Sequence, residues 1–355
     1  MIADNRLSEN SVWNDQLLAE QLQALSELEL DFDLEVTGFD VGEIDLRVEG
    51  LRPDPDDKEE DRADVLATVS AGPPISRPGD LLLLGRHRIY CGSALEQGSY
   101  TELMGGELAT MVLTDPPYNV AIEGNVSGLG AIHHRDFAMA SGEMNQAQFI
   151  AFLVHALSLL ARYSADGALH YIFMDWRHIG ELLAAGRSIY NELKGLCIWV
   201  KNHTGMGALY RSRHELVFVF KHGRAAHRNN IMLGRYGRDR TNVWMYPSPR
   251  TLSDEGNLLA LHPTVKPVRL VADAILDCTA RGDIVLDSFL GSGTAVIAAE
   301  RTGRRCFGLE LDPLYVDTIV RRWQAYTGES ARHEPSGRTF NELEAERAEK
   351  KCDGN

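Results

Sequence analysis

Cysteine is scarce and unpatterned in this chain. Cys91, Cys197, Cys278, Cys306 and Cys352 show no CxxC spacing, so neither a zinc site nor a disulfide framework is expected, and no metal. Cys91, Cys197 and Cys306 fall in apolar strand-like runs, where a small buried residue is expected. No apolar stretch approaches the roughly 18–20 residues of a membrane span. The opening "MIADNRLSEN" lacks the basic flank and apolar core of a signal peptide. A membrane partner is therefore not expected, and the cytoplasm is the expected compartment. Basic charge is also short: 36 Lys and Arg stand against 51 Asp and Glu, a net charge of −15. That deficit is local. Residues 1–64 hold 20 acidic and 5 basic side chains, the whole of the excess, whereas residues 194–240 hold ten Lys/Arg against two acids. A neutral body with a basic region is compatible with phosphate contacts.

The rest is ordinary globular composition, with 355 residues, 44% apolar and 25% charged, enough for one large or two modest domains. "NDQLLAEQLQALSEL" repeats leucine at helical spacing, and "RPDPDDKEEDRAD" after it reads as an acidic linker. From about residue 80, short apolar runs alternate with helical stretches. The strands expected are "HRIYCG", "ATMVLT", "ALHYIFMD", "GLCIWVK", "ELVFVFK", "DIVLDSF" and "RCFGLEL". Such alternation implies an α/β fold with a mostly parallel sheet. The runs at 195–201 and 215–221 have no helix between them and are expected to form an antiparallel edge hairpin. After Trp323 the chain turns polar and ends in a charged helical stretch, expected to be peripheral.

Two strand ends carry chemistry. "DIVLDSFLGSGT" runs from an apolar strand through Asp287 into a turn with Gly291 and Gly293, and nineteen residues after Gly291 stands Glu310. Glycines there permit close backbone approach by a ligand, and an acid at the next strand end can hold ribose hydroxyls. A third glycine is missing, since Val296 stands where a dinucleotide site wants one. The pattern therefore points away from NAD and towards a nucleoside without pyrophosphate, such as S-adenosylmethionine.

The second strand end is "TDPPYNV". An exocyclic amino group is a poor nucleophile, because its lone pair is delocalised into the ring. Asp115 and the Pro116 carbonyl can each accept one amino hydrogen and free that lone pair. Pro116 and Pro117 fix the carbonyl's direction, and Tyr118 offers a stacking face. A base inside a duplex reaches such a site only by flipping. Methylation at ring C5 of cytosine would instead call for a cysteine, commonly after proline, and no cysteine here follows one.

"TDPPYN" with "FLGSGT" resembles the DNA amino-methyltransferases that modify adenine N6 or cytosine N4. Motif order, catalytic before cofactor, resembles their circularly permuted β class, with a Rossmann-like S-adenosylmethionine-dependent fold. "LHPTVKPVRL" and "IWVKN...YRSRHELVFVFKHG" extend the likeness across roughly residues 80–330. The resemblance implies catalytic roles for Asp115, Pro116, Pro117 and Tyr118. It implies cofactor contacts for Asp287, Phe289, Gly291, Ser292, Gly293, Thr294 and Glu310, with Thr264 and Lys266 closing the pocket. Ser93, in "CGSAL", stands where the family has an acid near the cofactor's adenine. The expected cofactor is S-adenosylmethionine. The expected partner is double-stranded DNA, with a homodimer left open and nucleoid association implied.

Lys201, Arg211, Arg213, Arg235, Arg238 and Arg240 are the expected DNA contacts, with Tyr236, Trp244 and Tyr246 as candidates to fill the gap left by a flipped base. The recognition region expected at 222–260 is small, which implies a short recognition sequence and salt-sensitive binding. Asp115 favours adenine N6, with cytosine N4 as the alternative, where Ser is commoner. Methylation of RNA or of a protein amide, where Asn is commoner, and a non-enzymatic DNA-binding adaptor are weaker readings. The amino terminus resembles the closing segment of ParB-like nuclease domains, without the part bearing their active residues, so no nuclease activity is expected. The boundaries expected are 1–50 for that segment, 51–79 for the linker, 80–330 for the methyltransferase domain and 331–355 for a polar tail.

Overall fold

The computed structural model describes residues 14–28, 34–51, 62–64, 73–120, 142–204, 209–231, 234, 238–248 and 265–352. The chain divides into two compact units, one made of residues 1–59 and 230–240 and the other of residues 60–229 and 241–355.

In the first unit, α1 (Asp15–Glu27) starts at Asn14, whose side chain accepts a hydrogen bond from the Leu17 N–H at 3.1 Å. With α2 (Val41–Glu49) it buries Leu18, Leu22, Ile44 and Val48. These are one face of each helix, as the leucine spacing requires. Arg47 joins the two helices by pairing with Asp15 and Glu43.

The second unit is a layered α/β structure. Its strands are β1 (Leu81–Leu84), β2 (His87–Cys91), β3 (Ala109–Thr114), β4 (Ser164–Met174), β5 (Glu192–Val200), β6 (His214–Lys221), β7 (Val243–Met245), β8 (Ile284–Asp287), β9 (Arg305–Glu310) and β10 (Arg332–His333). They form one sheet in the order β10-β1-β2-β9-β8-β3-β4-β6-β5-β7. The five central strands from β2 to β4 are parallel. Beyond them β1, β10 and β6 run antiparallel to their neighbours. The expected hairpin is present as β5 and β6, with β7 added outside it in parallel with β5.

The central strands are apolar on both faces because helices cover both. Val112 and Ile172 pack with α3 (Gln97–Met104), α4 (Gln146–Arg162) and α5 (Ile179–Ile189). Met111 and Leu113 pack with α6 (Val268–Cys278), α7 (Thr294–Thr302) and α8 (Pro313–Thr327). Cys91, Cys278 and Cys306 are buried free thiols and Cys197 is half-buried.

Two stretches expected to lie outside the fold join it. In the acidic linker, the Asp64 carboxylate accepts from the Val268 N–H at the start of α6 (2.8 Å). Asp317 on α8 accepts from the N–H groups of Ile75 and Ser76. The polar tail supplies edge strand β10 and α9 (Phe340–Cys352), which buries Phe340 and Leu343. The signal for both was weak, because one or two buried residues among many charges leave no period to read.

Candidate active site

β3 and β8 are adjacent and parallel, so "TDPPY" and "FLGSG" emerge at the same edge of the sheet. From β8 the chain crosses through α7 to β9, and from β3 through α4 to β4, on opposite sides. Strand order reverses between them, where open α/β sheets form a ligand crevice. The Thr114 hydroxyl donates to Asp287 across the two strands (2.8 Å).

A cavity of about 430 Å³ opens there. Asp115, Pro116, Pro117, Tyr118, Lys266, Asp287, Phe289, Gly291, Ser292, Thr294 and Glu310 all line it, so residues distant in sequence meet in one place. Phe173, Leu311, Asp312 and Tyr315 also line it; nothing in the sequence marked them beyond their positions at strand ends or in the first turn of a helix. Gly293 does not line the cavity but shapes the turn. Its φ of +78° disfavours any side chain, and a Cβ would meet Ile319 at 2.7 Å. Ser93 lies between lining residues Gly92 and Ala94, but its hydroxyl accepts from the Leu95 N–H, which accounts for it as a turn residue. Thr264 and Arg235 lie outside the described residues.

At the glycine-rich side, Glu310 accepts from the N–H groups of Gly291 (2.8 Å) and Asp312 (2.9 Å). Burial still pushes its carboxyl up to about 7. Burial does the same to Asp287, also to about 7, against hydrogen bonds from the Phe289 N–H and Thr114. A ligand bearing hydroxyls and a positive charge would favour the ionised form of both acids and so offset the cost of burying them. The Thr294 hydroxyl donates to the Lys266 carbonyl (3.3 Å), tying the glycine-rich turn to the "HPTVKP" segment. Arg322, buried, donates to the Ser292 carbonyl of the same turn and to that of Ala63.

The catalytic-motif side is an ion cluster. Lys266 is only 6% exposed, and its ammonium lies 2.6 Å from Asp115 and 2.9 Å from Glu215. The Tyr118 hydroxyl donates to Asp115 and lies 3.3 Å from Glu215. Burial raises the Asp115 carboxyl above its usual range, outweighing Lys266. Burial alone would lower Lys266, but Asp115 and Glu215 hold it above the ordinary lysine value. Asn119 adopts φ +54°, tolerated by Asn. Its side chain accepts from Gly142 and Met144 and donates to the Met144 carbonyl, anchoring the turn to the residues before α4.

The expected DNA contacts divide. Lys201 is engaged with Glu215 and stands over the Trp199 ring. Burial of a carboxylate at residue 215 needs a cation, and Lys201, just past the end of β5, reaches it from the neighbouring arm of the hairpin. Arg211 and Arg213 are exposed at the β5–β6 turn, where Leu209 and Tyr210 are 86% and 85% exposed. Arg238 and Arg240 belong to the first unit and are half-buried. Tyr236 lies outside the described residues. Trp244 is buried against Tyr171, and half-buried Tyr246 donates its hydroxyl to Asp273.

Residues 109–321, more than half of the chain, match the family model described as N6_N4_Mtase, DNA methylase. The chain belongs to this DNA methylase family. Residues 16–78 of the methylase also match the model of the ParB-methyltransferase HTH domain. The ParB-like affinity of the amino terminus thus takes the form of a helix-turn-helix domain, whose match extends through the acidic stretch. The methylase is 28% identical to the putative methylase YubD of Escherichia coli (strain K12) over 218 residues, 61% of this chain and 83% of the relative. It is 42% identical to the DNA adenine methyltransferase YhdJ of the same organism over 81 residues, covering 23% of this chain and 26% of that one. Among solved structures, the cytosine-N4-specific PvuII DNA methyltransferase shares the fold. It has a TM-score of 0.50 at 16% identity, covering 67% of this chain and 86% of that one. Among the described residues no helix is long and apolar enough to cross a membrane.

Proposed function

We propose that this methylase transfers a methyl group from S-adenosylmethionine to adenine N6 in double-stranded DNA, acting on a flipped base. The observation that carries the reading is the opening of the Asp115 turn and the glycine-rich turn into one cavity from adjacent parallel strands. S-adenosylmethionine supplies, when bound, a methyl group already activated on a sulfonium. Glu310 would hold its ribose hydroxyls, and the turn from Phe289 to Thr294 its methionine part. Asp115 and the Pro116 carbonyl accept the two hydrogens of the target amino group, and Tyr118 stacks on the base. Asp at position 115 and the likeness to an adenine-specific relative favour adenine over cytosine.

The DNA-facing surface on this reading includes the β5–β6 turn, with Arg211 and Arg213 on phosphates and Tyr210 against bases. Incubation with labelled S-adenosylmethionine and unmethylated bacterial DNA, followed by digestion to nucleosides, tests the proposal. Label in N6-methyladenine supports it, and label in N4-methylcytosine moves the target base. Label in RNA or protein alone refutes it.

A further inference from the structure

Glu215, the second residue of β6, touches Tyr118 and Lys266, the two cavity-lining side chains that also touch Asp115. Both Asp115 oxygens already receive a donor: Tyr118 on one and Lys266, at 2.6 Å, on the other. Each oxygen keeps a second lone pair, but an incoming amino group must share the carboxylate with a short donor already on that oxygen, so a donor able to lean on another acceptor eases its entry. Lys266 is buried and cannot give up a carboxylate without finding another, because an unpaired buried ammonium is strongly disfavoured. Glu215 is that second carboxylate, 2.9 Å from the same ammonium and 3.3 Å from the Tyr118 hydroxyl. Its other oxygen is held by Lys201.

Resting on the amino-methylation reading above, we propose that Glu215 is a positioning residue of the transfer site. It receives Lys266 and the Tyr118 hydroxyl when the target amino group takes up Asp115. Asp115 is faced by Tyr118 from its own turn, Lys266 from the segment before α6, Glu215 from β6 and Asp287 from the end of β8; β4 contributes the uncharged Phe173. The two carboxylates that share Lys266 are thereby set apart. Burial raises Asp115, while Glu215, which burial alone would also raise, is held at about 2 by Lys266 and Lys201. Glu215 is held by two lysines and Asp115 by one, so Asp115, beside the reacting nitrogen, is the carboxylate placed to take the proton that the methylated nitrogen releases. Such a split between neighbouring acids marks a division of roles.

The test is Glu215→Gln beside Glu215→Asp, read as cofactor affinity by calorimetry and as the pH profile of kcat. The Gln variant should bind cofactor within about threefold of wild type, which also shows that it folds, and lose at least about tenfold in kcat at pH 8 with KM for DNA little changed. Loss of the neighbouring negative charge lowers the Asp115 pKa, so the acid limb of the profile should move down by about one pH unit. Glu215→Asp should recover most of the rate and leave the limb in place. A purely structural role would lower rate or stability without moving the limb. Methylation by the wild type with an unmoved limb in the Gln variant overturns this inference alone. Failure of the wild type to methylate DNA overturns the functional reading and this inference with it.

Discussion

Replacing Lys266 with Met keeps an unbranched apolar side chain and removes the charge of an ammonium that also stands over the Phe173 and Trp199 rings. Glu215 retains Lys201, but Asp115 retains only the Tyr118 hydroxyl, inside a site that already raises its carboxyl. Removing one partner of a buried pair costs about 3–5 kcal/mol when the other stays charged. In a domain of this size each kcal/mol moves Tm by about 2–4 °C, so the variant should melt roughly 6–20 °C lower at pH 8. The remaining acid can escape by taking a proton. A raised folded pKa contributes stability that is present at low pH and lost as pH rises through it. The deficit should therefore shrink by more than half at pH 5. Thermal unfolding of both proteins at pH 5 and pH 8 decides the matter. A deficit below about 2 °C at pH 8, or an equal deficit at both pH values, would refute the account of Lys266 as the cation of a buried cluster.

Further expectations follow from the cavity and the hairpin. Asp287 and Glu310, each raised to about 7 by burial, stabilise the fold fully below their unfolded values, and that contribution is lost as pH rises from there through about 7. The Tm of the ligand-free protein should thus fall between pH 6 and pH 8. Ribose hydroxyls and a sulfonium favour the ionised acids, so cofactor affinity should rise over the same interval with proton release detectable by calorimetry in two buffers; an affinity that falls would contradict that placement. Gly293→Ala forces a side chain into φ +78° against Ile319. It should abolish measurable cofactor binding and destabilise the domain by about 1–3 kcal/mol. Arg213→Ala should weaken DNA binding and reduce the slope of log affinity against log salt by about one. Tyr210→Ala should weaken DNA binding while leaving cofactor affinity unchanged.

Much of the site was legible because its residues sit in contiguous motifs at strand ends. Asp115 to Tyr118 and Phe289 to Thr294 could be read off the sequence, since a strand followed by a turn fixes where such side chains emerge. Glu215 was not legible. It is one polar residue near the start of an apolar strand, and only the pairing of β6 with β4 and β5 brings it to Lys266 and Lys201. The same pairing brings Lys201 to Glu215: sequence shows a cation in a basic region, not the carboxylate within its reach. The parallel core was recoverable from apolar runs of uniform type. The two-residue strand β10 and the anchors at Asp64 and Ile75 were not, because each rests on one or two contacts across long sequence separations.

Transfer of labelled methyl groups to DNA by the wild type and by Asp115→Ala, each with its cofactor affinity measured alongside, tests the central claim most directly. Label in N6-methyladenine from the wild type, with the variant binding cofactor normally but giving no label, is the predicted result. Turnover retained by Asp115→Ala, or no label in DNA from a wild type that binds the cofactor, would contradict it.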